Sequence, residues 1–209
     1  MIYLKLSYKT VKGGGRAEVV EKKSKFISHV QPVETEAAAQ GFLADIRKKH
    51  YDASHNVYAY IIGQNSEFVK QSDDGEPSGT SGMPTLNAIK AEGLINVIVV
   101  VTRYFGGTLL GTGGLVRAYG KAAREGLLSA GIIEMVLHDR FIVTVDYPLL
   151  GKFQYEYNRQ EYKISEVAYG EKITFDMLIE TSRSENFKKY TLDLSSGTAF
   201  IEFVEKLYR

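Results

Sequence analysis

The feature that most constrains the fold of this chain is an apolar run at residues 97–101, where every residue is valine or isoleucine. Branched side chains favour extended backbone, and an unbroken apolar run is typical of a strand that is buried on both faces. Residues 95–101 therefore predict a strand in the middle of a folded core. Hydrophobic residues make up 44% of the chain, which is enough to build such a core.

Two glycine-rich turns flank this strand. Glycine is favoured where the backbone needs a positive φ or where another group must approach the main chain closely. The stretch at residues 73–121 therefore predicts a surface that is shaped by backbone groups. The glycines that cluster in this stretch are Gly75, Gly79, Gly82, Gly106, Gly107, Gly111, Gly113 and Gly114.

The pattern of predicted elements divides the chain into two domains. In the first part we expect strands at residues 17–21, 25–33, 55–62, 67–71 and 95–101, and helices at 35–50, from Pro84 to about Gly93, and at 114–129. From about residue 138 the predicted order is β-α-β-β-α-β, which is the ferredoxin-like unit. The expected fold class is α+β, with domains at residues 1–134 and 138–209.

Composition limits the environments and partners of the protein. The formal net charge is only +1, so a nucleic-acid surface has to be a local patch. The chain has no cysteine, which excludes disulfides and thiolate metal sites and fits a reducing compartment. The N-terminal residues lack an apolar core of signal length, and no apolar run is long enough to span a membrane. We expect a cytoplasmic protein without a membrane partner.

The second glycine-rich turn and the helix after it form a candidate site for anions. Free N–H groups at a helix N-terminus favour negative charge. Arg117, Lys121 and Arg124 follow at i, i+4 and i+7, so they predict a basic stripe on one side of the helix. The alternative is a solvated helix face above ordinary tight turns. The candidate residues for nucleic acid or another anion are Arg103, Gly106, Gly107, Gly111, Gly113, Gly114, Arg117 and Lys121.

Three carboxylates, Asp73, Asp74 and Glu76, lie within four positions. Such a group can bind Mg²⁺ or act as acid and base, although Asp-Gly and Glu-Pro are also ordinary turn pairs. His55 is the nearest histidine for a serine–histidine pair, and the sequence supplies no residue to orient it. The glycine spacing matches neither a Walker loop nor a dinucleotide fingerprint. We expect no metal and no cofactor.

Several short motifs carry a family resemblance. They are EKKSKFI at residues 21–27, Asp52-Ala53 with His55, DDGEP at residues 73–77, RYFGG at residues 103–107 with LG at 110–111, and GGLVRAY at residues 113–119. Together they resemble the IMPACT family, which includes the bacterial YigZ-like proteins, over about residues 18–130. The motif residues that form the expected family surface are His55, Asp73, Asp74, Gly75, Glu76, Pro77, Tyr104 and Phe105.

The resemblance implies an N-terminal α/β domain like the second domain of a small-subunit ribosomal protein. It also implies a ferredoxin-like C-terminal domain similar to one in elongation factor G. Eukaryotic relatives modulate translation through the activator of a stress kinase, using an added N-terminal domain that has no counterpart here. That mechanism is therefore not transferred to this chain.

These observations lead to one functional prediction and two alternatives. We expect a non-catalytic binding protein that associates with translation through the ribosome, RNA or a translation factor. The first alternative is a peptidase-like or phosphoesterase-like hydrolase that uses Asp73, Asp74 and Glu76. The second is a protein–protein adaptor in which the glycine surface docks a partner's backbone. The oligomeric state stays open.

Overall fold

The computed structural model describes residues 5–209, and these divide into two units. One unit is Tyr8–Glu134, and the other contains the described residues up to Ser7 together with Met135–Arg209. The described residues form two sheets and five α-helices, so the predicted two-domain α+β class is confirmed. The boundary positions at residues 134 and 138 stay predictions, and the residues between them belong to a strand rather than to a linker.

The first unit is built on a five-stranded antiparallel sheet with the order β2-β3-β6-β4-β5. Strand β6 contains the apolar run and lies at the centre of this order, as the run predicts. In chain order the elements are β1 (Ser7–Val11), β2 (Gly15–Glu21), β3 (Ser24–Pro32), α1 (Glu36–Lys49), β4 (His55–Ile62), β5 (Phe68–Ser72), α2 (Gly82–Ala91), β6 (Val97–Tyr104) and α3 (Thr112–Ala130).

Helices cover both faces of this sheet. On β6, Val99 and Val101 belong to a core that includes residues of α2 and α3. Ile98 and Val100 belong to a second core, which includes residues of α1 such as Leu43. Successive residues of a strand point to opposite faces. Both faces here are apolar, which explains why β6 reads as a continuous hydrophobic run instead of an alternating one.

Glycine lets α3 approach the sheet closely. A Cβ atom added at Gly126 would lie only 2.1 Å from the Oγ atom of Ser28 on β3. Real Cβ atoms do not approach side chains this closely, so glycine is required for the observed spacing between helix and strand. The close packing fixes α3 on the sheet, and the first turns of this helix form part of the site described below.

The second unit has the predicted β-α-β-β-α-β order. Its elements are β7 (Ile132–Val145), α4 (Leu150–Arg159), β8 (Lys163–Tyr169), β9 (Ile173–Glu180), α5 (Ser184–Leu194) and β10 (Phe200–Tyr208). Strand β7 pairs with β9 and with β10, and β9 also pairs with β8. All three pairings are antiparallel. Phe141, Phe153, Tyr157, Phe175 and Phe187 form the centre of its core.

Strand β7 begins at Ile132, before residue 138, where the elements of the second domain were predicted to start, and it follows directly after Gly131 at the C-terminal end of α3. Gly131 has a φ of 72°, which lets the chain leave the helix and enter a strand at once.

Within residues 5–209, no helix combines the length and the apolar character that crossing a membrane requires.

Candidate functional site

Asp73 organises the acidic turn. Its carboxylate accepts hydrogen bonds from the backbone N–H groups of Gly79, Ser81 and Gly82 at 2.9, 3.1 and 2.8 Å, and from the Ser81 hydroxyl at 2.7 Å. Ser81 makes no side-chain cap at the start of α2, so Asp73 satisfies N–H groups there. Burial by itself raises the pKa of Asp73, but these hydrogen bonds outweigh burial and hold the pKa below its ordinary value.

Asp74 ties the turn to two other elements. Its Oδ1 atom accepts a hydrogen bond from Arg47 of α1 at 2.5 Å, and its Oδ2 atom accepts one from the Asn56 backbone N–H of β4 at 2.7 Å. The carbonyl oxygen of Asp74 lies 2.8 Å from Nδ1 of His55. The carboxylate of Asp74 therefore holds the turn in place against α1 and β4.

Glu76 forms a buried ion pair with Arg103. Its Oε1 atom accepts hydrogen bonds from Arg103 at 2.6 Å and from the Tyr119 hydroxyl at 2.7 Å. The Arg103 guanidinium carbon also lies 5.5 Å from the centre of the Phe26 ring and 5.6 Å from that of Phe105. Burial and the neighbouring Glu76 raise the pKa of Tyr119, so this residue stays a neutral hydrogen-bond donor.

The carboxylates of the acidic turn are engaged by contacts within the protein. Each of its three carboxylates accepts hydrogen bonds from protein groups, and within residues 5–209 no cluster of three or more His, Asp or Glu side chains is placed to hold a metal ion. These contacts give no support to the hydrolase alternative, because Asp73, Asp74 and Glu76 stabilise the local structure.

Arg103 is not a free cation. The sequence placed it among the anion-binding residues, but it is only 6% exposed and its charge is paired with Glu76. The sequence contained a signal for this position. Arg103 follows Val99 and Val101 at spacings of two, which places it on the face of β6 that packs against α2 and α3.

A cavity of about 560 Å³ brings the two glycine-rich turns together. We call it the apolar cavity, because hydrophobic side chains make up much of its wall. The acidic turn contributes Gly75, Glu76 and Pro77, and the start of β4 contributes His55. The lining also includes the predicted residues Arg103, Phe105 and Gly111. Leu109 and Leu110 line the cavity too, although they were not among the predicted site residues.

A second cavity, of about 230 Å³, lies next to the first and shares Leu110 with it. Gly114, Arg117 and Lys121 of α3 line it, together with Glu21 and Lys22 from the turn between β2 and β3. We define the basic face as Lys22, Arg117 and Lys121. Among the described residues, none of these three forms an ion pair. Arg124, the third residue of the predicted basic stripe, pairs with Glu92 at 3.6 Å and is not included in the basic face.

The turn that carries Lys22 has an unusual backbone. Lys22 and Lys23 form a two-residue connection between β2 and β3, with φ values of 45° and 69°. Type I′ hairpin turns require positive φ at both positions and normally use Asn-Gly or Asp-Gly. Lysine at both positions costs conformational energy. This pair belongs to the EKKSKFI motif at residues 21–27 but was not among the predicted site residues.

Four other predicted residues lie outside both cavities. Gly106 packs against the Lys22–Lys23 turn, because an added Cβ atom would lie 2.0 Å from the Lys23 backbone carbon. Gly107 has a φ of 80° and open space around it. Gly113 lies beside Arg117, whose Nη1 atom is 3.7 Å from the position of an added Cβ atom. The Tyr104 hydroxyl donates to Asp52 at 3.0 Å.

Comparisons with known proteins were made for the whole chain. The family model described as "Impact N-terminal domain" matches residues 22–127, and "Domain of unknown function (DUF1949)" matches residues 143–198. "IMPACT family member YvyE" of Bacillus subtilis is 42% identical over 202 residues, covering 97% of this chain and 93% of that protein. "IMPACT family member YigZ" of Escherichia coli is 30% identical over 187 residues, covering 88% and 92%.

Eukaryotic relatives match a shorter part of the chain. "Protein IMPACT" of Rattus norvegicus is 36% identical over 100 residues, which is 46% of this chain and 31% of that protein. A solved structure described as "Crystal structure of an hypothetical protein" is 28% identical, has a TM-score of 0.62 and covers 97% of this chain and 99% of its own. The expected family membership is therefore confirmed.

Proposed function

Because the chain belongs to the IMPACT family, we propose that it is a non-catalytic protein that acts in translation by binding RNA, free or in the ribosome, through its basic face. The observation that carries this proposal is the set of three cations around the second cavity, Lys22, Arg117 and Lys121, without ion-pair partners among the described residues. Such cations bind phosphates and release the counterions that surround a nucleic acid.

Backbone geometry supports the same proposal. Helix α3 begins after Gly111, which makes no side-chain cap, so the first turn of the helix keeps N–H groups that favour negative charge. Gly113 lies in this first turn, and a Cβ atom added there would be 3.7 Å from Nη1 of Arg117, so a cation of the basic face is close to the helix N-terminus. The strained Lys22–Lys23 turn places a third cation at the same cavity. Strained backbone is often found at functional sites.

Resemblance to ribosomal and elongation-factor domains adds the connection to translation. The proposal specifies the partner as a negatively charged polymer. Free RNA, the ribosome and a translation factor bound to RNA all meet this description. Cosedimentation with ribosomes and affinity capture from lysate, each with and without nuclease, distinguish these partners. Binding that is lost after nuclease treatment supports the proposal, and capture of a protein partner that resists nuclease contradicts it.

Charge variants test the basic face directly. We expect the double variant Arg117→Glu/Lys121→Glu to lose about tenfold or more of its RNA affinity at low salt, because repulsion replaces two phosphate contacts. Lys48→Glu is the matched control, since Lys48 is exposed on α1, which packs on the other face of the sheet. Equal losses in the two variants, or no RNA binding by the wild type at low salt, would refute the proposal.

A further inference from the structure

We propose that the apolar cavity takes one unstacked base of a single-stranded RNA, while the basic face holds the neighbouring phosphates. This inference rests on the proposed function and extends it to a class of RNA. A nucleotide combines a flat ring that has polar edges with an anion at a short fixed distance. The two cavities provide the same combination, since they share Leu110. Hydrophobic side chains make up much of the wall of the first, and the second is lined by three cations and one carboxylate, Glu21.

The size and wall of the apolar cavity suit a ring. Its volume of about 560 Å³ lies in the usual range for small-molecule sites. Leu109, Leu110 and Leu115 contribute aliphatic surface, and Phe105 contributes an aromatic ring. The Phe105 side chain is 49% exposed, although its backbone N–H is fixed by a hydrogen bond to Ser54 at 3.3 Å. An exposed ring on an ordered backbone is available for stacking on a base.

Polar groups in the same cavity distinguish a base from an aliphatic side chain. Arg103 lines the cavity and is only 6% exposed, yet its Nε atom is buried without a hydrogen-bond partner among the described residues. Glu76 and His55 line the cavity as well, with Nε2 of His55 3.8 Å from Oε1 of Glu76.

The edges of a nucleobase carry the groups that this wall requires. Ring nitrogens and carbonyl oxygens accept hydrogen bonds and exocyclic amines donate them, so the edge of a base can pair with the partly exposed His55 side chain in this wall. An aliphatic anchor from a protein partner would leave this contact unused. The anionic part of the nucleotide then meets Lys22, Arg117 and Lys121. Charge and hydrogen bonding therefore favour a nucleotide over a hydrophobic peptide segment.

The inference predicts a preference for single strands. Bases in a duplex are stacked and paired, so they are not free to enter a cavity, whereas single strands and loops present unstacked bases. We expect the wild-type full chain to bind a short single-stranded RNA at least tenfold more tightly than the same sequence in a duplex, measured by fluorescence anisotropy at equal salt. Equal or tighter binding of the duplex would overturn the inference.

Phe105→Ala tests the base-binding cavity separately from the basic face. Loss of one stacking interaction is expected to weaken single-strand binding by about tenfold and to leave duplex binding unchanged. Phe68→Ala is the matched control, because Phe68 is 50% exposed on β5 of the same unit and does not line the cavity. A single-stranded RNA that contains one 2-aminopurine reports base insertion, and its fluorescence change is expected with the wild type and lost with Phe105→Ala.

The outcomes separate this inference from the proposed function. If Arg117→Glu/Lys121→Glu weakens RNA binding but Phe105→Ala does not, RNA binding stands and base insertion is wrong. If neither changes binding, both are wrong. If Phe105→Ala abolishes the nuclease-resistant capture of a protein partner and leaves RNA binding unchanged, the cavity takes a protein side chain, and the inference is also wrong.

Discussion

The acidic turn and the basic face are close in the fold but use their charges in opposite ways. The carboxylates of Asp73, Asp74 and Glu76 accept hydrogen bonds from the protein itself. Among the described residues, the cations of the basic face have no such partners. A sequence shows both as charge clusters next to glycine. Only burial and partners reveal which cluster stabilises the structure and which is available to a ligand.

The physical reason for the contrast is the cost of removing a charge from water. A buried ion needs a partner and further hydrogen bonds to offset its lost hydration. An exposed ion keeps its water and needs neither. Substitutions in the acidic turn are therefore expected to act on stability, and substitutions on the basic face are expected to act on binding.

The largest effect is expected at the buried pair. Glu76→Ala leaves the Arg103 guanidinium buried without its carboxylate, and we expect a loss of about 3–5 kcal/mol in the free energy of unfolding. Urea denaturation measures this loss. Glu92→Ala is the control, because it removes an exposed pair with Arg124 and should cost less than about 1 kcal/mol. Similar losses in the two variants would contradict the contrast between buried and exposed charge.

A smaller effect is expected at Asp73, with a defined dependence on pH. Asp73→Asn removes charge-assisted hydrogen bonds, at a cost of about 1–3 kcal/mol at neutral pH. The pKa of Asp73 is lowered in the folded state, so the unfolded state binds more protons as the pH falls. The stabilisation that the Asp73 charge provides is complete above the ordinary pKa of 3.8. It is lost as the pH falls through the pKa of Asp73 in the folded state.

Unfolding curves of the wild type and Asp73→Asn should therefore differ most at neutral pH and approach each other below about pH 4. Asp45→Asn provides the control, since Asp45 is exposed on α1 and its substitution should change the free energy of unfolding little. A constant gap between wild type and Asp73→Asn down to acid pH would show that the Asp73 charge does not stabilise the turn.

The turn between β2 and β3 allows stability and binding to be changed in opposite directions. Lys22→Asn/Lys23→Gly supplies the residues that a type I′ turn favours, so we expect a gain of about 1 kcal/mol in stability. The same variant removes one cation of the basic face and should bind RNA more weakly. A stabilised variant that keeps full RNA affinity would remove Lys22 from the proposed binding surface.

The smallest effect on stability is expected on the basic face itself. Arg117→Gln/Lys121→Gln should change the free energy of unfolding by less than about 0.5 kcal/mol, because the described residues offer these side chains no ion pair to lose. Thermal and urea unfolding both measure it. A large loss would mean that these cations stabilise the fold, as the acidic turn does, and that the contrast between the two regions is false.

Much of the fold was predictable because its signals are local. The apolar run at residues 97–101 determines β6, and the periodic apolar positions of α3 determine that helix. Thr35, whose side chain accepts a hydrogen bond from the Ala38 N–H, marks the start of α1. The start of β7 was missed because Gly131 ends a helix and begins a strand without a loop between them. No local pattern marks such a junction.

The site was only partly predictable. Motifs identified His55, Glu76, Phe105 and Gly111, which the structure brings to one cavity. The pairing of Arg103 was missed because a sequence lists its charge but not the partner, Glu76, that lies 27 positions away. The importance of Lys22 depends on a positive φ and on its closeness to α3, and both arise only when β2, β3 and α3 pack together.

The most direct test of the account is the salt dependence of RNA binding. The affinity of the wild type should fall linearly with salt on logarithmic axes, and each cation removed from Lys22, Arg117 or Lys121 should reduce that slope by about one. The control Lys48→Gln should leave it unchanged. If the slope of Arg117→Gln/Lys121→Gln equals that of the wild type, the basic face does not contact phosphates and the account is wrong.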